Sequence, residues 1–360
     1  MKWGEDKMDI QTLLDMVNNE GASDLIISAG ARPQMRVNGI LIAANDQTIT
    51  PDISLKMGHS LITPEQKEIL RIKRSLEISY GCQDVARFRI SMYYQRDSLA
   101  IAIRRIPSEI PDFEALGLPD IVHDFANEPH GLILITGPAG SGKSTTLAAM
   151  INQINTTKHM HVICIEDPIE YVHTHCFSVV DQREIGGDTP DFAAALRSVF
   201  RQSPDVIMIG EMRDLETMQL ALTLAETGHL ILATLHTQDA THSINRIVDS
   251  FSSDQQKQIY VQLSMVLKGV ISQRLITSKD RTKRVLAYEV MQVNDAISNL
   301  IREMAIEQIY SVIQTSSAKG MCTLNDCLAM LYKKNLIEKD IARRMSPRLK
   351  EIDRLLERKG

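Results

Sequence analysis

The chain has 360 residues, 44% of them hydrophobic and 24% charged, with a formal net charge of −5. That length and apolar fraction supply cores for two domains, while mixed charge of this size sets up no global field for nucleic acid or an anionic membrane. Five cysteines (Cys82, Cys164, Cys176, Cys322, Cys327) lack the spacing of a zinc site, and no charged-then-apolar leader or run of ~20 apolar residues occurs, so a cytoplasmic globular enzyme without nucleic-acid partners is expected.

Residues 1–7 read as a polar arm. Ile10, Leu13, Leu14 and Val17 then recur at helical spacing until Gly21. Asp24–Ser28 suggests a strand, and Asn38-Gly39 between the apolar runs of Gln34–Ala43 suggests a type I′ hairpin. Thr63-Pro64-Glu65-Gln66 carries an N-cap, a proline at the first helical position and a capping-box glutamine, ahead of Ile69, Leu70 and Leu76.

From Asp84 to Ile106 two strands alternate. Phe88, Ile90 and Met92 oppose Arg87, Arg89 and Ser91, and Leu99, Ile101 and Ile103 oppose Ala100, Ala102 and Arg104. Arg87, Arg89 and Arg104 can therefore cluster, although pattern alone favours an ordinary solvated sheet face. The prolines and glycine of 106–118 mark a linker between an N-terminal α+β domain, 1–105, and a second domain, 119–360.

The second domain alternates strand and helix: 131–136, 143–155, 161–165, 190–202, 206–209, 214–227 and 229–234. This predicts an α/β fold with a parallel sheet between helices. From about 255 the pattern is mainly helical, over 255–273 and 295–332, with a strand at 284–291 and a basic helical tail at 341–360 whose charges read as a solvated face.

The apolar run Gly131–Thr136 breaks into Gly137-Pro138-Ala139-Gly140-Ser141-Gly142-Lys143-Ser144-Thr145, which fits G-x-x-x-x-G-K-[ST]. Glycines let consecutive backbone N–H groups face phosphate oxygens. Lys143 can reach the β- and γ-phosphates, and the Ser144 hydroxyl can ligate Mg²⁺. ATP and Mg²⁺ are the expected ligands.

In a doubly wound sheet, ligands collect at the carboxyl ends of the strands, so residues just past them are the candidates. Glu211, after Val206–Ile209, suits a Walker B acid that holds Mg²⁺ through water, whereas Asp205 opens that strand and reads as a capping or salt-bridging group. Glu166, Asp167 and Glu170 follow the strand expected beside the phosphate loop, with Glu170 favoured for activating water. Spacing leaves open which of Glu170 and Glu211 is the base. His229 and His236 flank the next strand and point to opposite faces. Pattern alone makes each a packing residue.

Four ordered blocks resemble the secretion-type hexameric ATPases, and within them the type IV pilus retraction (twitching motility, PilT-like) branch. Gly137–Thr145 is similar to the family's Walker A, Ile165-Glu-Asp-Pro-Ile-Glu-Tyr171 to its aspartate box, Val206-Ile-Met-Ile-Gly-Glu-Met-Arg-Asp214 to its Walker B, and Thr227-Gly-His-Leu-Ile-Leu-Ala-Thr-Leu-His-Thr237 to its histidine box. The resemblance continues through Ala22-Ser-Asp-Leu25, Arg87-Phe-Arg89, Arg104-Arg-Ile-Pro107 and Gly320–Asp326.

It implies a PAS-like N-terminal domain, a RecA-like core, a homo-hexamer with ATP between subunits, an inner-membrane pilus platform protein as partner, and an accessory retraction ATPase. It also implies that Arg89 and Arg104, with Arg87, reach a nucleotide's phosphates and that His229 lies near the γ-phosphate, with His236 an additional candidate. Extension and type II secretion ATPases resemble the chain less, since they usually carry a longer N-terminal region and a tetracysteine insert. The retraction branch's Ala-Ile-Arg-Asn-Leu-Ile-Arg-Glu block appears here with Ser298 in place of its first arginine. A nucleotide-gated adaptor with little turnover is the alternative outside the enzymes.

Overall fold

The computed structural model describes residues 9–37, 39–82, 86–106 and 109–357. The polar arm 1–7, Asn38 of the expected hairpin, and Pro107 and Ser108 of the expected linker lie outside them. The chain divides into two compact units, one running to Glu109 and including Glu170–Val172, the other taking Ile110–Ile169 and the residues from His173 onward.

In the first unit the order is α1 (Ile10–Asn19), β1 (Asp24–Ile27), β2 (Gln34–Val37), β3 (Ile40–Ala43), α2 (Pro51–Ser60), α3 (Pro64–Lys73), β4 (Ser75–Cys82), β5 (Ala86–Gln95) and β6 (Ser98–Ile106). The six strands form one sheet, β3-β2-β1-β6-β5-β4. Leu13, Leu14 and Val17 of α1 join Leu25, Ile27, Phe88, Ile90, Met92 and Ile101 in the core, so the period-2 strand residues and the helical stripe meet on one sheet face. That leaves Arg87, Arg89 and Arg104 on the other, whereas Arg105 pairs with Phe88 on the core side. Thr63 and Gln66 form the expected capping box, and α3 ends at Arg74 in a left-handed conformation (φ 59°). Leu76 accordingly belongs to β4 and not to the helix.

The second unit continues with α4 (Phe113–Leu116), α5 (Ile121–Asn127), β7 (Gly131–Thr136), α6 (Lys143–Thr157), β8 (His161–Glu166), β9 (Val179–Glu184), α7 (Phe192–Val199), β10 (Val206–Ile209), α8 (Leu215–Glu226), β11 (Leu230–Leu235), α9 (Ala240–Val248), α10 (Ser253–Val266), β12 (Leu267–Thr277), β13 (Arg284–Gln292), α11 (Asp295–Arg302), α12 (Ile309–Thr315), α13 (Leu324–Lys333), α14 (Lys339–Met345) and α15 (Leu349–Glu357). Its seven-stranded sheet runs β13-β12-β7-β11-β10-β8-β9, parallel except for the antiparallel edge strand β13. Both faces are covered. Leu132 and Leu134 of β7 point into a core with α8, α9 and α10, while Ile133 and Ile135 point into one with α5, α6 and α13. This double burial is why β7 reads as an unbroken apolar run.

Two expectations are corrected. The helix starting near 255 stops at Val266, and Leu267–Thr277 is a strand that pairs in parallel with β7. Gly269 makes that docking fit: a Cβ there would stand 2.4 Å from the Phe125 ring. Second, β8 does not adjoin the phosphate-loop strand. β11 and β12 do, and β8 lies three strands away, about 14 Å at the usual strand spacing. The basic tail is helical, as α14 and α15, with its charged side chains mostly exposed, while Ile352 and Leu356 of α15 are buried against α13.

Candidate functional site

β7 delivers the chain at Thr136 into the loop 137–142, and α6 begins at Lys143. Gly137 has φ 140°, and a Cβ there would lie 2.3 Å from the Gln273 carbonyl oxygen and 2.7 Å from Ser141 Oγ. Only glycine fits this close approach of loop to β12. Gly142 caps the helix at φ 93°. The Lys143 ammonium donates to the carbonyls of Gly137 (2.9 Å) and Pro138 (3.2 Å), which places its charge over the loop. Beneath it, Thr136 and Ser272 bond at 2.8 Å and Gln273 donates to Thr146 at 2.7 Å, joining β7, β12 and α6. A pocket of about 320 Å³ opens against Pro138, Ala139, Gly140 and Ser141, with His236 and Arg274 on its wall.

Past the carboxyl ends of the neighbouring strands stands a linked set of charges. His236 Nε2, just beyond β11, lies 3.0 Å from Glu211 Oε1, just beyond β10. Arg213 Nε donates to Glu211 Oε2 at 2.7 Å, and Arg213 Nη1 to Asp167 Oδ2 at 3.4 Å. Glu211 is largely covered, its side chain 19% exposed. Hydrogen bonding to Glu211 is the leading reason that the Arg213 guanidinium is held above its usual range.

The other candidates lie elsewhere. His229 precedes β11, and its Nδ1 contacts the Leu224 carbonyl at 3.0 Å. Six residues of strand put it about 20 Å from the end where the phosphate loop of its own chain begins, so the expected place beside the γ-phosphate is corrected for this protomer. Glu166 is buried at the end of β8, where Gln182 donates to it at 2.9 Å, a structural setting. Glu170 is exposed in the loop beyond. Asp205 accepts the His161 amide at 2.8 Å, the capping role expected of it.

On the first unit Arg89 and Arg104 are directly opposite in the β5–β6 register. Arg104 Nε donates to Asp24 Oδ1 at 3.0 Å and Arg89 Nη2 to Glu77 at 2.8 Å. Arg36, which pattern reading missed, approaches Asp24 Oδ2 at 3.4 Å and lines a pocket of about 450 Å³ with Arg89 and Arg104, where Arg87 had been expected. β2 brings Arg36 there through its Asp24↔Arg36 register.

The sequence profile of the Type II/IV secretion system proteins matches residues 13–346. This chain belongs to that family. Among secretion-family relatives, the type IV pilus retractation ATPase PilT of Pseudomonas aeruginosa is 44% identical over 340 residues, covering 93% of this chain and 97% of that one. A twitching motility protein of Neisseria gonorrhoeae is 43% identical over 312 residues, covering 87% and 83%. The crystal structure of the pilus retraction motor PilT with bound ADP superposes with a TM-score of 0.89 at 46% identity, over 97% of this chain and 100% of that one.

Two oxygen donors of this secretion-family site would suit a hard cation: the Ser144 hydroxyl in the first turn of α6 and the Glu211 carboxylate. Ser141 Oγ is buried with no hydrogen-bond partner among the described residues, a polar atom left over in a loop shaped to wrap an acceptor. Arg213, within the Val206–Asp214 block, is a further site residue. Its signal was position, two residues past a strand-ending acid.

Proposed function

We propose that this chain is an Mg²⁺-dependent ATPase that drives type IV pilus retraction as a cytoplasmic homo-hexamer. One observation carries the enzymatic part: His236, which pairs with Glu211 at 3.0 Å, lines the pocket that opens against Pro138, Ala139, Gly140 and Ser141 of the phosphate loop. The direction of the motor rests on kinship with retraction ATPases over nearly the full length of both chains.

In this reading the loop amides of Gly137–Thr145 and the Lys143 ammonium bind the triphosphate, with Lys143 exchanging loop carbonyls for phosphate oxygens. Ser144 and, through water, Glu211 would hold Mg²⁺, which supplies neutralising charge to the β- and γ-phosphate oxygens. Glu170 accepts a proton from the attacking water as its oxygen bonds to the γ-phosphorus and the bond to the bridging oxygen breaks, releasing ADP. His236 orients Glu211. Arg89 and Arg104, with Arg87 beside them, offer guanidinium groups to phosphate charge. The platform protein at the inner membrane is the proposed partner, with an accessory retraction ATPase.

Turnover by the purified protein, compared with Lys143→Ala, tests the chemistry: equal rates would leave only a nucleotide-gated adaptor. Pilus counting after deletion tests direction. Hyperpiliated, non-motile cells are expected, and bald cells would assign extension instead.

A further inference from the structure

We propose that Arg213 is a positioning residue that sets the Glu211 carboxylate for catalysis; the inference rests on the ATPase reading above. Glu211 sits two residues beyond the end of β10, on a loop, where a glutamate side chain is free to turn. Here it is held at both oxygens. His236 Nε2 stands 3.0 Å from Oε1, and Arg213 Nε donates to Oε2 at 2.7 Å.

Arg213 is itself fixed. On one side the Met212 amide donates to the Thr234 carbonyl at 3.1 Å, tying the loop to β11. On the other, Asp214 caps α8 by accepting the Thr217 amide at 2.8 Å. From this backbone the guanidinium reaches a second carboxylate, Asp167 Oδ2 at 3.4 Å, beyond the end of β8. One planar fork thus ties together the loops after β8 and β10 and sets the orientation of the acid between them. Lysine, with a single ammonium, cannot span both carboxylates in that way. The Arg213 side chain is 58% exposed, so its removal opens no core cavity.

Because Arg213 acts through Glu211, its effect disappears when Glu211 is changed. The test compares wild type, Arg213→Gln, Arg213→Lys, Glu211→Gln and the Arg213→Gln/Glu211→Gln double variant by single- and multiple-turnover ATP hydrolysis, with fluorescent ADP titration for affinity. A lost charge-assisted hydrogen bond predicts a roughly 10- to 100-fold fall in kcat for Arg213→Gln. KM and ADP affinity stay within about twofold, and Arg213→Lys recovers part of the loss. Adding Arg213→Gln to Glu211→Gln changes the rate less than about twofold. An unchanged kcat in Arg213→Gln, a parallel loss of ADP affinity, or an undiminished effect in the Glu211→Gln background overturns the proposal.

If wild type turns over no faster than Lys143→Ala, it is the ATPase reading that fails. The same four-protein cycle then reads the contact through thermal unfolding: non-additive Tm shifts uphold the Arg213–Glu211 coupling and additive ones overturn it.

Discussion

His236 Nε2 and Glu211 Oε1 stand 3.0 Å apart although 25 positions separate them in the chain. The parallel pairing of β10 with β11 brings them together, setting Ile209 beside Ala233 and so aligning the two strand exits. A carboxylate only accepts, so a hydrogen bond here requires Nε2 to carry the proton.

His236→Ala removes that neighbour from Glu211 without opening the core, because His236 is exposed. The expected outcome is a roughly 10- to 100-fold lower kcat, the range set by one hydrogen bond to a charged group, with ADP affinity within about threefold. His229→Ala is the contrast: its ring contacts the end of α8 at the far end of β11, so in an isolated protomer it leaves nucleotide affinity unchanged. Isothermal titration with ADP on both variants, beside steady-state rates, checks the assignment. An equal fall in kcat in the two would reverse it.

Gly137 and Gly140 separate folding from binding within one loop. Gly137→Ala drives a Cβ to 2.3 Å from the Gln273 carbonyl at φ 140°, so backbone must move, and a loss of more than about 2 kcal/mol is expected. At Gly140 a Cβ meets nothing within 4 Å, and φ of 73° costs alanine about 1 kcal/mol. That Cβ would stand at the mouth of the loop pocket. Gly140→Ala should therefore melt close to wild type and still bind ATP at least tenfold more weakly. Melting curves with and without nucleotide distinguish the two.

What pattern reading could and could not see follows from the range of the interactions. The unit of β7, loop and α6 is legible because its information is local: a doubly buried strand, glycines at positive φ, and a helix start lie within thirty consecutive positions. The β5–β6 hairpin is legible for the same reason, as alternation shows both faces. β12 is not. Val270 and Ile271 are strand between two partners, β13 on one side and β7 on the other, and β7 lies more than a hundred residues earlier. The order of strands is equally remote, which is why Glu166 was expected beside the loop and stands three strands off. Arg36 and Arg213 were missed because each is defined by a carboxylate partner that only register or loop geometry supplies.

Arg104 tests the first unit's contribution. Its side chain is 73% exposed, and its pair with Asp24 is a surface interaction, so Arg104→Ala should change stability by less than about 1 kcal/mol. If the guanidinium meets transition-state charge, kcat falls roughly a thousandfold, as for an arginine finger. Asp24→Asn releases both Arg36 and Arg104 from their shared carboxylate and should lower kcat by less than Arg104→Ala does. A wild-type rate in Arg104→Ala, measured on protein with an unchanged melting curve, removes the arginine from the mechanism.

Glu289 makes stability depend on pH. It is buried on β13, where desolvation, with the charge of Asp239 added, pushes its carboxyl up to about 7 from 4.5, against the opposing pull of the Ala240 and Leu324 amides and of Arg274. The Ala240 amide donates to it at 3.0 Å, so the carboxyl also caps α9. Between pH 4.5 and 7 the folded chain keeps a proton that the unfolded chain releases, and stability falls as pH rises through that window. Below it the group is neutral in both states, and above it the penalty is complete, at roughly 3 kcal/mol for a shift of this size. Glu289→Gln keeps an acceptor for Ala240 and cannot ionise. Denaturant midpoints of wild type should therefore drop between pH 5 and pH 8 relative to those of Glu289→Gln, with the gap opening through that window. Parallel profiles would mean that the carboxyl ionises in the folded chain as readily as in the unfolded one.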